Sequence, residues 1–111
     1  MNIEERKQGA VMVLRPRGPL VREDAEQFNE HAQSVAATTL GRVVIDTSAM
    51  PFVDSQGLEA LVDLATIIEQ GGRTLKLTGL NPTLRDVLQI TGLTDRFETF
   101  DDPSAAVRSF L

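Results

Sequence analysis

The sequence predicts a small α/β domain with the element order ββαβαβαβα. Three observations carry that prediction. Two short, wholly apolar runs, Val11–Leu14 and Val43–Ile45, have the length and branching of strands covered on both faces. The segments between such runs space their apolar residues three and four apart, which is the helical period. The Gln8-Gly9 turn folds the first strand back antiparallel on the second, whereas strands separated by helices pair in parallel. The expected architecture is a mixed, mostly parallel sheet of about five strands with about four helices.

Taken in order, Asn2–Lys7 is largely charged, with Ile3 its one large apolar residue, as suits an edge strand that must resist pairing with other chains. The run Val11–Leu14 follows, and Arg15-Pro16-Arg17-Gly18-Pro19 stops it. Val21, Ala25, Phe28, Ala32, Val35 and Ala36 then fall at offsets 0, 4, 7, 11, 14 and 15, one stripe of a helix. Glu23, Asp24 and Glu26 lie in its first turns, beside the positive end of the helix dipole. Thr38-Thr39-Leu40-Gly41 closes it, and Val43-Val44-Ile45 is the next strand. Leu58, Leu61, Val62, Ala65 and Ile68 mark a second helix, widened by Leu64 and Ile67 and ended by Gly71-Gly72. Leu75 and Leu77 alternate with Thr74, Lys76 and Thr78, which predicts a strand with one wetter face. Asn81-Pro82 is an N-cap followed by proline at the first helical position, for a short helix carried by Leu84, Val87 and Leu88 and stopped by Gly92. Phe97–Phe100 is a last strand, and Asp101-Asp102-Pro103 opens a terminal helix through Ala106, Val107 and Phe110.

Composition narrows the function. With 111 residues the chain is expected to be one domain, 1–111, because material for a second core is lacking. Lys and Arg number 11 against 16 Asp and Glu, so the net charge is 11 − 16 = −5. Phosphate affinity needs clustered cations, so direct nucleic-acid binding is not expected, nor is docking on an anionic membrane. The absence of Cys removes thiolate nucleophiles and Cys-ligated zinc, and a single His, His31, removes multi-His metal sites. Without Trp or Tyr there is no base-stacking platform of the usual kind. No apolar run approaches the ~20 residues of a membrane span, so no membrane insertion is expected. The first residues show neither a basic segment nor an apolar one of the signal-peptide kind. The expectation is a cytoplasmic binding domain that is not an enzyme and uses no cofactor.

The segment with chemical content follows the second apolar strand: Asp46-Thr47-Ser48-Ala49-Met50-Pro51-Phe52-Val53-Asp54-Ser55-Gln56-Gly57-Leu58. In open α/β sheets, functional groups gather at the carboxyl ends of strands. Ser55 has two readings. It can be the N-cap of the helix that follows, a role Asp54 could also fill. It can also be a phosphoacceptor, since free N–H groups and the dipole at a helix start favour an added dianion. The two roles are compatible in different phosphorylation states. Asp46 with Asp54 could suggest Mg²⁺, but loop caps and turn bonds explain both more simply. His31 reads as a solvated helical residue. Glu59, Asp63 and Glu69 could form a recognition face or merely a solvated one, and Met50 and Phe52 could be partner contacts or packing beneath the loop.

This segment resembles the STAS domain family of bacterial anti-sigma factor antagonists. The family pattern is Asp-Leu-Ser, a short apolar loop, then Asp-Ser-Ser/Thr-Gly-Leu-Gly; here it reads Asp46-Thr47-Ser48 and then Phe52-Val53-Asp54-Ser55-Gln56-Gly57-Leu58. Gly71-Gly72 and Ile90-Thr91-Gly92-Leu93 match the family downstream. The resemblance implies reversible binding to an anti-sigma factor serine kinase, phosphorylation at Ser55 that ends the binding, and a serine phosphatase that restores it. The implied partner surface is Asp54, Ser55, Gln56, Gly57, Leu58 and Glu59, with the exposed side of that helix. Three positions depart from the pattern: Val21 stands where the family usually has an acidic residue, Gln56 where it has Ser or Thr, and Glu59 where it has Gly.

Two other readings compete. STAS-like domains also serve as accessory subunits of lipid-transport complexes or as parts of stress-signalling scaffolds, roles that need a binding face but no phosphoswitch. An enzyme or nucleotide binder is the third reading, and no phosphate-loop motif supports it.

Overall fold

The computed structural model describes all 111 residues. The elements are β1 (Asn2–Gln8), β2 (Val11–Arg17), α1 (Arg22–Thr38), β3 (Val43–Asp46), α2 (Ser55–Gln70), β4 (Leu75–Thr78), α3 (Pro82–Ile90), β5 (Phe97–Phe100) and α4 (Pro103–Arg108), with one 3₁₀ turn at Thr94–Arg96. The strands lie in the order β1-β2-β3-β4-β5. β1 pairs antiparallel with β2, and the remaining neighbours are parallel. Element order and mixed sheet are those the periodicity predicts.

Both faces of the sheet are covered, which explains why the central strands are apolar throughout. Leu14, Val43, Ile45, Leu75, Leu77 and Phe97 point to one side, where they join Phe28, Ala32 and Val35 of α1, Leu61, Leu64 and Ile68 of α2, and Leu84 and Leu88 of α3. Val11, Val13 and Val44 point to the other side, against Ala106 of α4 with Val107, Phe100 and Phe110. Each fully buried Leu, Ile or Phe contributes about 1.5–3 kcal/mol, so most of the stabilisation comes from the α1–α2 side. The caps at Asn81 and Asp102 form as predicted, accepting the backbone N–H of Leu84 at 2.8 Å and of Ala105 at 2.9 Å.

One expectation is corrected. The wetter face predicted for β4 is buried, because α4 returns over it: Lys76 and Thr78 are inaccessible, and all four strand residues are buried. Buried there, the Lys76 side chain pairs with Glu98 of β5 at 3.2 Å and lies over the Phe110 and Phe100 rings, 4.5 and 5.3 Å from their centroids.

The loop that joins two helix starts

The site builds from two loops at the carboxyl ends of β2 and β3. Gly18–Val21 follows β2, and Thr47–Asp54 follows β3. Backbone bonds zip them together: Gly18 N–H to the Ala49 carbonyl at 2.9 Å, Leu20 N–H to Phe52 at 3.1 Å, and Asp54 N–H to Leu20 at 3.2 Å. Leu20 and Val53 thereby form a short parallel bridge. Asn81, at the start of α3, anchors the same loop by donating from its side-chain amide to the Pro51 carbonyl at 3.0 Å.

Asp54, not Ser55, is the N-cap of α2. Its Oδ1 accepts the Gly57 N–H at 2.8 Å. Its Oδ2 accepts the Arg22 N–H at 2.9 Å, which is the first N–H of α1. Val21 occupies the cap position of α1 and has no side-chain oxygen to offer, so the carboxylate of Asp54 serves both helices. These bonds, the Gly57 N–H first and that of Arg22 second, hold the Asp54 carboxyl below the usual carboxylate range. The cap reading of Ser55 is thereby corrected: a carboxylate aligned with two orphan N–H groups outcompetes a hydroxyl. Ser55 is the first helical residue, and its side chain is exposed.

Gly57 is where the two loops come closest. A Cβ there would overlap the Leu20 carbonyl oxygen and lie 2.8 Å from the Leu20 carbonyl carbon, so no side chain fits. Gln56 and Glu59 are exposed, Gly57 is buried, and Leu58 is half-buried among core residues. The six predicted surface positions therefore divide: Ser55, Gln56 and Glu59 face solvent, while Asp54, Gly57 and Leu58 hold the loop in place. Between α1 and α2 runs a groove lined by Arg22, Glu26 and Asn29 on one wall and Gln56, Glu59 and Asp63 on the other.

The remaining candidates are resolved by their partners. Met50 is buried beneath the loop, whereas Phe52 is 47% exposed beside it. Glu69 is engaged by Arg96 at 3.1 Å, so of the three acidic residues on α2 only Glu59 and Asp63 line the groove. His31 meets Glu5 of β1 at 2.7 Å, a partner 26 positions away. Asp46 accepts the Ser48 N–H at 3.0 Å and lies 3.7 Å from Arg15. Arg15 and Arg17 also bind Glu4 of β1, and Arg17 foremost keeps the Glu4 carboxyl below its ordinary value. No group of three His, Cys, Asp or Glu residues could hold a metal ion. No helix is long and apolar enough to cross a membrane. Sequence reasoning missed Arg22. The available signal was that α1 and α2 contain no other Lys or Arg.

Fold and site together define a small α/β domain in which two loops and two helix starts are tied by one carboxylate, with the Ser55 hydroxyl exposed beside it. A family model described as the STAS domain matches residues 2–106, and the chain belongs to that family. No curated protein matches the sequence. Among solved structures, a Thermotoga maritima protein proposed to be an anti-sigma factor antagonist is similar at TM-score 0.89 and 21% identity, over 96% of this chain and 92% of that one. The anti-sigma factor antagonist SpoIIAA in its unphosphorylated form is similar at TM-score 0.80 and 19% identity, over 98% of this chain and 96% of that one. The phosphorylated form from Bacillus superposes at TM-score 0.72 and 20% identity, over 97% and 99%. A murine solute carrier 26 family anion transporter is similar at TM-score 0.72 and 22% identity, over 95% of this chain and 18% of that one. At these identities the likeness is one of fold.

Proposed function

We propose that this STAS domain is an anti-sigma factor antagonist that binds an anti-sigma factor serine kinase and is released by phosphorylation at Ser55. The single observation that carries the reading is the placement of Ser55: an exposed hydroxyl on the first turn of α2, next to the Asp54 cap, in the loop that carries the family motif. In the transfer, Ser55 Oγ attacks the γ-phosphorus of ATP held by the kinase, its proton passes to a base of the kinase, and ADP leaves. A serine phosphatase reverses the state by hydrolysis, returning the hydroxyl and inorganic phosphate. The domain contributes the acceptor and the surface, and no catalytic group of its own.

The energetics suit a switch. The phosphate adds about −1.5 to −2 charges at neutral pH. It does so one helical turn from Glu59, at the end of a groove that already carries Glu26 and Asp63 and whose lining begins at Gln56, the next residue. A loss of even ~3 kcal/mol at the interface lowers affinity more than a hundredfold. The test measures binding to the anti-sigma factors encoded in the same genome, with mass-spectrometric mapping after incubation with ATP. Ser55 is the expected site of modification. Ser55→Ala is expected to keep partner affinity and Ser55→Asp to weaken it at least tenfold. Equal affinities for the two variants would sink the switch.

A second reading is a STAS subunit of a larger assembly without phosphate chemistry. It is favoured by Val21, which leaves α1 without an acidic cap of its own, and by Glu59 at a position where the family pattern has glycine. Co-purification of a transporter as the main partner, with no effect of Ser55→Asp, decides for this reading.

A further inference from the structure

We infer that Arg22 is the internal counter-ion of the Ser55 phosphate, so that modification rearranges the charge of the α1–α2 groove as well as adding to it. The inference rests on the phosphoserine reading of Ser55 and concerns what receives the phosphate. Arg22 meets the two chain neighbours of Ser55, and its positive charge acts on the Asp54 carboxylate. Its backbone N–H is bound to the carboxylate of Asp54, the residue before Ser55, at 2.9 Å. Arg22 also lines the groove with Gln56, the residue after Ser55. Like Arg6, Lys7, Arg42, Arg73, Arg85 and Arg108 it forms none of the molecule's ion pairs, so its guanidinium is not already committed to a carboxylate. It is also the only Lys or Arg on either helix.

The charges around the serine make the assignment specific. The loop supplies Asp54, whose two oxygens are fixed on N–H groups of different helices and which therefore stays as a neighbouring anion. α1 supplies Arg22, Glu23, Glu26 and Asp24, the last paired with the Met1 ammonium at 3.4 Å, and α2 supplies Glu59 and Asp63. The loop after β2, Gly18–Val21, has no charged residue. A dianion on Ser55 thus faces carboxylates and one guanidinium, and the planar fork of that guanidinium matches phosphate oxygens in a way an ammonium does not. Drawing Arg22 to the phosphate leaves Glu26, Glu59 and Asp63 without their one opposing charge. A partner that reads the groove therefore meets two changes from one modification.

The experiment places phosphoserine at position 55 during synthesis of the full chain, so that no kinase is needed, and follows its ³¹P signal against pH. A nearby cation favours the dianion, so the second phosphate ionisation is expected to lie about half a pH unit lower with Arg22 than in Arg22→Gln. Arg22→Lys is expected to recover part of the shift. Phosphoserine placed instead at exposed Ser34, farther along α1, is expected to titrate identically in both backgrounds. Identical titration at position 55 with and without Arg22 overturns the inference. So does an equal shift at positions 34 and 55, which marks a general charge effect. Because the phosphate is installed, this outcome is separate from whether any kinase modifies Ser55.

Discussion

The two ends of the α1–α2 pair are built in opposite ways. At the amino end, one carboxylate caps both helices, two loops are bonded backbone to backbone, and Gly57 lies against Leu20 with no room for a side chain. At the carboxyl end, neither helix has a basic residue in its last turn. Leu40 there is 72% exposed and sits at φ 55°, in the left-handed region that a branched side chain resists. Its one tether is the carbonyl, which accepts from Arg73 Nε at 3.0 Å. The contrast teaches that the end bearing Ser55 is tied across two loops and two helices, whereas the other end is closed mainly by bonds of each helix to its own last turn.

Substitutions can break this contrast, and the largest expected effect is at Gly57. Gly57→Ala must push the Leu20 backbone away and is expected to cost about 3 kcal/mol by urea denaturation, the upper range of overpacking. Gly72→Ala at the other end, where the added Cβ meets nothing but φ is 82°, is expected to cost about 1 kcal/mol. Similar losses at both positions would mean that the loops part readily.

Next comes Asp54→Ala, which removes a cap from each helix and is expected to lower Tm by several degrees. Its pH dependence is diagnostic. The native carboxyl titrates below the unfolded one, so the stability it supplies is complete above the unfolded Asp value near ~3.9 and is lost as pH falls through the native value. Thermal melts from neutral pH downward are therefore expected to converge for Asp54→Ala and the parent chain in acid. Glu4, lowered chiefly by Arg17, follows the same sign and leaves a residual slope in both proteins. A constant gap in Tm at all pH values would show that the charge of Asp54 is not what caps.

The smallest effect is expected at the carboxyl end. Leu40→Asn places a residue that tolerates the left-handed region and is expected to raise stability by about 0.5 kcal/mol in the same denaturation experiment. A loss there would show that the exposed leucine packs in solution.

Much of this was legible in the sequence. The strand runs, the helical stripes, the caps at Asn81 and Asp102 and the place of the loop between β3 and α2 depend on residues within a few positions of one another, and local hydrogen bonding and side-chain period decide them. The choice between Asp54 and Ser55 as cap was not local. It turns on Arg22, 32 positions earlier, whose N–H the cap also satisfies. Nor could alternation in β4 foretell that α4 would return to bury Lys76, or the turn before β5 present Arg96 to Glu69.

By itself the sequence determined the element order, the mixed sheet and the loop that carries Ser55, because apolar periodicity and turn chemistry act over short stretches of chain. Only the tertiary structure decided that Asp54 joins two helix starts, that Gly57 must stay a glycine, and that Arg22 is the lone cation in the groove beside Ser55. Those facts belong to contacts between β2–α1 and β3–α2, which exist only once parallel pairing of β2 with β3 brings the two loops to the same edge of the sheet.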